Sequence, residues 1–384
     1  MRKKITMITL LGGFALLIAG ALFFSSCEGP AGTNGTNGSD GSDGTDGTDG
    51  IDGKDGADGS ATCILCHSDD QNILTKTRQY DNSAHAMGHT SGYTNRSFGP
   101  SYNCAACHTS QGYLENLVGA SNVPYANVTQ PNCYTCHKIH DTYTEADWAL
   151  QQEGTLEPNT GSPGMDLGAG NQCVGCHQFA TLYLENEALW ANFDDGGNTS
   201  VEITAGEKRA GVHHAPQYNL FAGMDLFEFT GSSAYPSDSH VAGKTEDGCV
   251  TCHMNDGFGD LTGHSMSMTW EFHGSDNYNW PASCLDCHTS GGDNDIDAKF
   301  EEVKAGTDAL LEQLYTILVD AGIMYPADTP GNAYLMMPGT FTTNLTAAHV
   351  NYNAIREDKS HGFHNAGYIT AILDNTIESL TPAK

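Results

Sequence analysis

A mainly helical and irregular fold with little β-sheet is predicted for this chain by three observations. A five-residue pattern, Cys-x-x-Cys-His, occurs six times. Hydrophobic residues make up only 39% of the 384 and aromatic residues 9%, which is thin for a side-chain core at this length. The intervals between the patterns are rich in Gly, Asn, Ser and Asp, the residues of turns and loops.

The patterns comprise Cys63, Cys66 and His67; Cys104, Cys107 and His108; Cys133, Cys136 and His137; Cys173, Cys176 and His177; Cys249, Cys252 and His253; and Cys284, Cys287 and His288. This is the attachment signature of c-type haem. The two thiols reach the two vinyl groups on one porphyrin edge, and the adjacent His turns its imidazole under the iron as the proximal ligand. The His must follow the second thiol around one turn, so each motif is expected to open a short helix. Twelve of the thirteen cysteines fall inside the motifs, leaving none for a disulfide framework. A zinc ribbon has no use for the His after each pair, and a thioredoxin-like site needs a single motif in a βαβ unit. Six covalently attached haems are therefore expected, and these large flat hydrophobes stand in for the missing apolar core.

Residues 1–27 read as an export signal. Arg2, Lys3 and Lys4 precede a long apolar stretch from Ile5 to Phe24, which ends in Ser25, Ser26 and Cys27. Small residues before a solitary Cys resemble a bacterial lipoprotein cleavage site, with Cys27 as the lipidated residue; an uncleaved membrane anchor is the alternative. Either reading places the rest of the chain in the periplasm or at the outer-membrane surface, as covalent haem attachment requires. Residues 28–60 form a spacer in which Gly recurs at every third position from Gly29 to Gly59. That register suits a collagen-like helix that would make a homo-oligomer, but Pro30 is its only imino acid and its seven Asp would repel when stacked. An extended, solvated stalk is the plainer reading. The formal net charge of −31 makes nucleic acid and anionic membrane surfaces poor partners, whereas cationic redox proteins or metal-oxide acceptors would be steered favourably.

Residues 61–290 are expected to bind the haems. The first cysteines of successive motifs are 41, 29, 40, 76 and 35 residues apart, with no internal repeat between them. Seventeen His are present; six are proximal, and the other eleven suffice for six distal ligands. The candidates are His85, His140, His214, His240, His264 and His364. His85 is preferred to His89, and His214 to His213. If the helix of the third motif runs on, His140 shares a face with His137 and must serve a neighbouring haem. The 76-residue interval carries no motif and is read as a donor of distal ligands to haems attached elsewhere. His264 suits a loop returning to a haem, and His364 would fold the C-terminus back onto the haems. His273 and His349 are read as surface and structural residues, and the methionines as packing.

The C-terminal segment, residues 291–384, changes character. Phe300, Val303, Leu310, Leu311, Leu314, Ile317 and Leu318 form a helical stripe from Ile296 to Ala321, interrupted at Gly306 and Thr307. A second helix is read from Tyr368 to Leu380, and residues 325–344, with their Pro, Gly and Thr, as a loop.

Several stretches together resemble a known group: Cys249 to Met254 followed by Gly263-His264, then His214-Ala215-Pro216-Gln217, Ser239-His240, and His364-Asn365 before a terminal helix. They are similar to the multihaem cytochrome c superfamily that contains pentahaem nitrite reductases and octahaem hydroxylamine or tetrathionate enzymes. Ser83 with His85, and the third motif with His140, resemble its electron-transfer members. The resemblance spans residues 61–384 and implies closely packed haems with long C-terminal helices. No motif here replaces its His by Lys, the mark of the nitrite reductases' catalytic haem. An electron carrier with bis-His haems is therefore expected. The rival is a reductase of nitrite, hydroxylamine or tetrathionate at one open haem; a structural subunit assembled through the spacer is a third reading.

Overall fold

In the computed structural model the described residues are 71–86, 104–119, 128–179, 192–194, 199–204, 215–255, 261–289, 291 and 294–381. The signal segment, the spacer, the first motif from Cys63 to His67, and His89, His213 and His214 lie outside them.

The described helices are α1 Gln71–Asp81, α2 Ala105–His108, α3 Ser110–Leu117, α4 Cys133–Cys136, α5 Asn171–Val174, α6 Gln217–Ala222, α7 Cys249–His253, α8 Ala282–Leu285, α9 Ile296–Asp320, α10 Thr343–Asp358 and α11 Ala366–Leu380. Strands are short: β1 Ser200–Ile203 pairs antiparallel with β4 Gly339–Thr342, and β2 Thr269–Phe272 with β3 Ser275–Tyr278. The fold is thus mostly helical and irregular, with little sheet. The β2–β3 hairpin turns on His273 and Gly274, at φ 53° and 78°, the left-handed pair that matches strand twist. His273 is exposed there.

The second, third and fifth motifs open short helices as expected, whereas α5 and α8 begin before the first Cys of the fourth and sixth motifs and end before the second. The His amide of four motifs donates to the carbonyl of the first Cys: His108 to Cys104 at 3.0 Å, His137 to Cys133 at 2.9 Å, His177 to Cys173 at 2.9 Å and His288 to Cys284 at 2.8 Å. One i to i−4 bond therefore carries each imidazole a full turn past its first thiol. The third motif's helix stops at Cys136. His140 lies beyond it in a turn at φ 66°, so the two residues do not share a helical face.

A side-chain core does exist, and it sits at the C-terminal end. Leu314 and Leu318 of α9, Ala347, Ala348 and Ile355 of α10, and Ile369, Ile372 and Leu373 of α11 are fully or almost fully buried together. Each large aliphatic side chain so buried contributes about 1.5–3 kcal/mol. Leu220, Phe227 and Phe229 from the long interval join them, as does Val201 of β1. That interval is therefore a structural partner of the C-terminal helices as well as a source of His. Among the described residues, the motif-bearing part holds a small apolar cluster, Leu167, Val174, Tyr218 and Phe221.

Two expectations need correction. α9 runs unbroken through Gly306 and Thr307, held at its start by the Asp295 carboxylate, which accepts from the Ala298 amide at 3.1 Å. Residues 325–344 are not all loop, because β4 and the first two residues of α10 lie within them. α10 has no polar stripe to betray it: 13 of its 16 residues are buried, including Asn351, whose amide brackets Phe227 with bonds of 2.9 and 2.8 Å and reaches Thr376 at 3.1 Å. Among the described residues no helix is long and apolar enough to cross a membrane.

Candidate haem sites

A metal-bound imidazole uses one ring nitrogen for the metal and presents the other to a hydrogen-bond acceptor, which fixes its orientation. Four of the motif His rings are arranged this way. Nδ1 of His137 meets the Trp148 carbonyl at 2.6 Å, Nδ1 of His177 the Gln217 Oε1 at 3.1 Å, Nδ1 of His253 the Met266 carbonyl at 3.1 Å, and Nδ1 of His288 the Asn294 carbonyl at 3.1 Å. Nε2 is thereby left to face a metal.

Each of these four rings faces one candidate distal ring. Ring centres are 6.0 Å apart for His85 and His177, 6.3 Å for His137 and His264, 6.2 Å for His240 and His288, and 6.2 Å for His253 and His364. Two imidazoles bound to opposite faces of one metal, each through a bond of roughly 2 Å, hold their ring centres about 6 Å apart. Ring contacts of that length also occur elsewhere, as between Phe221 and His364 at 6.2 Å. The signal is the matching of proximal to distal rings, four times over, with Nδ1 turned aside. Among the described residues no cluster of three or more metal-ligating side chains forms, so the candidate ligands come only as opposed pairs.

Elements far apart in sequence build these pairs. The Gln79 carboxamide of α1 accepts the His264 amide at 3.1 Å and sets that ring toward His137. Met266 serves two sites: its sulfur lies 2.8 Å from His85 Nδ1 and its carbonyl accepts from His253. Gln217 also joins two, because its Nε2 donates to the Glu357 and Asp358 carbonyls at 3.4 and 3.3 Å while its Oε1 holds His177. His364 donates from Nδ1 to Asp358 at 2.6 Å. Burial pushes His85 and His264 down to about 4 and lowers His177 and His253, which keeps these rings in the neutral form a metal binds. Burial pulls His364 down too, but the Asp358 carboxylate more than offsets it.

The thiols bring the motifs themselves together. Cys107 lies beside Cys176, its thiol turned to the Gly175 carbonyl at 4.0 Å and that of Cys176 to the Ala106 carbonyl at 3.9 Å; Cys173 lies beside Cys249, and Cys136 lies near both thiols of the fourth motif. Cys252 lies near Cys284. No disulfide forms among the ten described cysteines. Opposed rings, outward Nδ1 bonds and thiols one turn away together fit a covalently held haem at four motifs.

The other His residues are placed as follows. His140 is exposed, with Nδ1 3.0 Å from the Tyr134 hydroxyl and its ring stacked on Tyr143 at 5.5 Å. Its loop wraps the buried Asp147 carboxylate, which accepts from the amides of His140, Thr142 and Tyr143 at 2.9, 2.7 and 3.0 Å. His349 is fully buried, with Nε2 at 3.0 Å from the Tyr334 carbonyl, and that nitrogen is unavailable to a metal. Sequence reasoning missed the second-nitrogen partners Asp358 and Met266, which no motif marks, and gave Gln217 no role although it ends the His214-Ala215-Pro216-Gln217 stretch.

Residues 48–188 match the family described as outer membrane cytochrome MtrC/MtrF-like, domains II/IV. Two solved structures are similar. The outer cell wall cytochrome OcwA is 18% identical, with 80% of this chain and 50% of that one covered and a TM-score of 0.46. An undecaheme cytochrome from the S-layer of Carboxydothermus ferrireducens is 22% identical, with 78% and 40% covered and a TM-score of 0.40. The chain thus spans half or less of the length of each. No curated protein matches. The family match and the attachment motifs agree on a multihaem cytochrome c and do not single out the nitrite reductase relatives.

Proposed function

We propose that this chain is an extracytoplasmic hexahaem cytochrome c, lipid-anchored through Cys27, that carries electrons along a series of bis-His haems to a redox partner or an external acceptor. One observation carries the reading: four motif His residues each oppose a second imidazole across about 6 Å, with Nδ1 held by a fixed acceptor. His85 is assigned to the haem of the fourth motif, His264 to the third, His240 to the sixth and His364 to the fifth. His140 and His214 remain for the first two, His140 with its Nδ1 already engaged by Tyr134. Haem held in this way supplies one-electron chemistry at a low-spin iron.

The chain's own groups then set how each site behaves. At each paired site the motif His and the imidazole opposite it would be the residues that hold the haem iron. The surrounding acidic charge favours the oxidised state. Residues 28–60 are read as a spacer between Cys27 and the haem-binding residues.

Electron paramagnetic resonance of the oxidised holoprotein, with intact mass to count haems, tests the proposal. Six haems, all low-spin, are expected. A five-coordinate high-spin signal that responds to nitrite or hydroxylamine would favour a reductase instead.

A further inference from the structure

His364 is tied down differently from the other rings. His137, His253 and His288 donate to backbone carbonyls, His177 to an amide and His85 to a thioether, all uncharged. His364 donates at 2.6 Å to the Asp358 carboxylate, whose side chain is wholly buried. The other carboxylate oxygen takes the Ser360 hydroxyl, and Ser360 Oγ accepts from the His364 amide at 3.2 Å.

The setting of that carboxylate is unfavourable on its own. Asp358 is the last residue of α10, where the helix's unpaired carbonyls repel negative charge. Among the described residues no Lys or Arg pairs with it, and nearby Arg356 engages Asn353 and Glu357 instead. A buried charge so placed is destabilising unless a donor holds it, and the strongest donor present is the His364 ring. The turn is shaped to bring the two together. Lys359, His361 and Gly362 have φ of 65°, 52° and 88°, and Gly362 lies so close to Thr307 of α9 that a Cβ would collide with it.

We infer that Asp358 is a positioning residue that gives His364 imidazolate character, making the haem of the fifth motif the lowest in potential of the four whose two rings face each other. The inference rests on the reading of His253 and His364 as ligands of one iron. A proton drawn toward the carboxylate leaves Nε2 richer in electron density, and a more basic ligand stabilises the ferric over the ferrous state. One electron from an external reductant reduces that iron, while the shared proton stays between ring and carboxylate. An electron moving through the fifth site therefore passes a local rise in energy that its neighbours lack.

A spectroelectrochemical titration of the full chain carrying Asp358→Asn tests this. One haem is expected to become easier to reduce by at least tenfold in its equilibrium constant, about 59 mV for a one-electron couple, with every iron still low-spin. Asp358→Glu should restore the original curve. An unchanged titration in Asp358→Asn, with all haems present and low-spin, overturns the inference. Should that variant fail to mature, the unmodified protein decides: one low-spin signal of narrowed g-spread, vanishing late on reduction, is expected, and its absence overturns the inference. His364→Ala tests the underlying assignment separately. One iron is expected to turn high-spin there, and a wholly low-spin spectrum retires the ligand reading itself.

Discussion

The proximal rings depend on acceptors that hold their second nitrogens, and the acceptors differ enough to be told apart by substitution. Gln217→Leu removes the acceptor from the buried His177 Nδ1 and the donor from the Glu357 and Asp358 carbonyls. It is expected to destabilise the fold by about 1–3 kcal/mol. It should also raise the potential of the fourth haem, because the ligand loses basicity; a denaturant titration beside a potentiometric one checks both. His349 answers to pH in a different way. Burial holds its imidazole at about 4, against an ordinary 6.5. Between those values the unfolded chain takes up a proton that the folded one refuses, so stability falls as pH drops from 6.5 to 4, by about 3 kcal/mol in all, and is unaffected by this group above 6.5. His349→Gln, followed by the helical signal in denaturant at several pH values, should flatten that slope. If the slope is unchanged, the His349 ring does not carry it.

At the scale of elements, the helices divide by how they meet solvent. α9 and α11 were legible because one face of each is apolar and the other polar, and the motif turns because covalent chemistry demands them. α10 was not, because nearly every side chain of it is buried and its Asn and Thr residues are satisfied inside. Nor was the pairing of rings legible, since nothing local to His264 says that it faces His137 rather than the nearer fifth motif. The acceptors Asp358 and Met266 carry no motif, and only folding puts them beside a ring. Leu314→Ala in α9 or Ile372→Ala in α11, both fully buried, should lower stability by about 2–5 kcal/mol while leaving the haem count and low-spin spectrum intact. A loss of haem in either would show that the apolar core and the haem sites are one cooperative unit. Asp147→Ala should release the loop that presents His140, since three amides lose their acceptor. If His140 closes one iron, a high-spin signal appears in that variant and is absent from the parent.

For the molecule as a whole, charge and connectivity set the terms. With a net charge of −31, electron transfer to a small cationic acceptor should slow as salt rises, and transfer to an anionic one should quicken. Stopped-flow reoxidation over a range of ionic strength checks the sign, and matching slopes for both acceptors would remove long-range steering. The facing rings have a further property when their arcs are drawn along the chain: 85 to 177, 137 to 264, 240 to 288 and 253 to 364. Each arc crosses the next, like the links of a plait. No cut can therefore excise one intact centre from this run without opening its neighbour, and a ribosome that stalls before residue 364 leaves the plait untied at its last strand. Evolution could lengthen such a wire at its ends far more readily than in its middle.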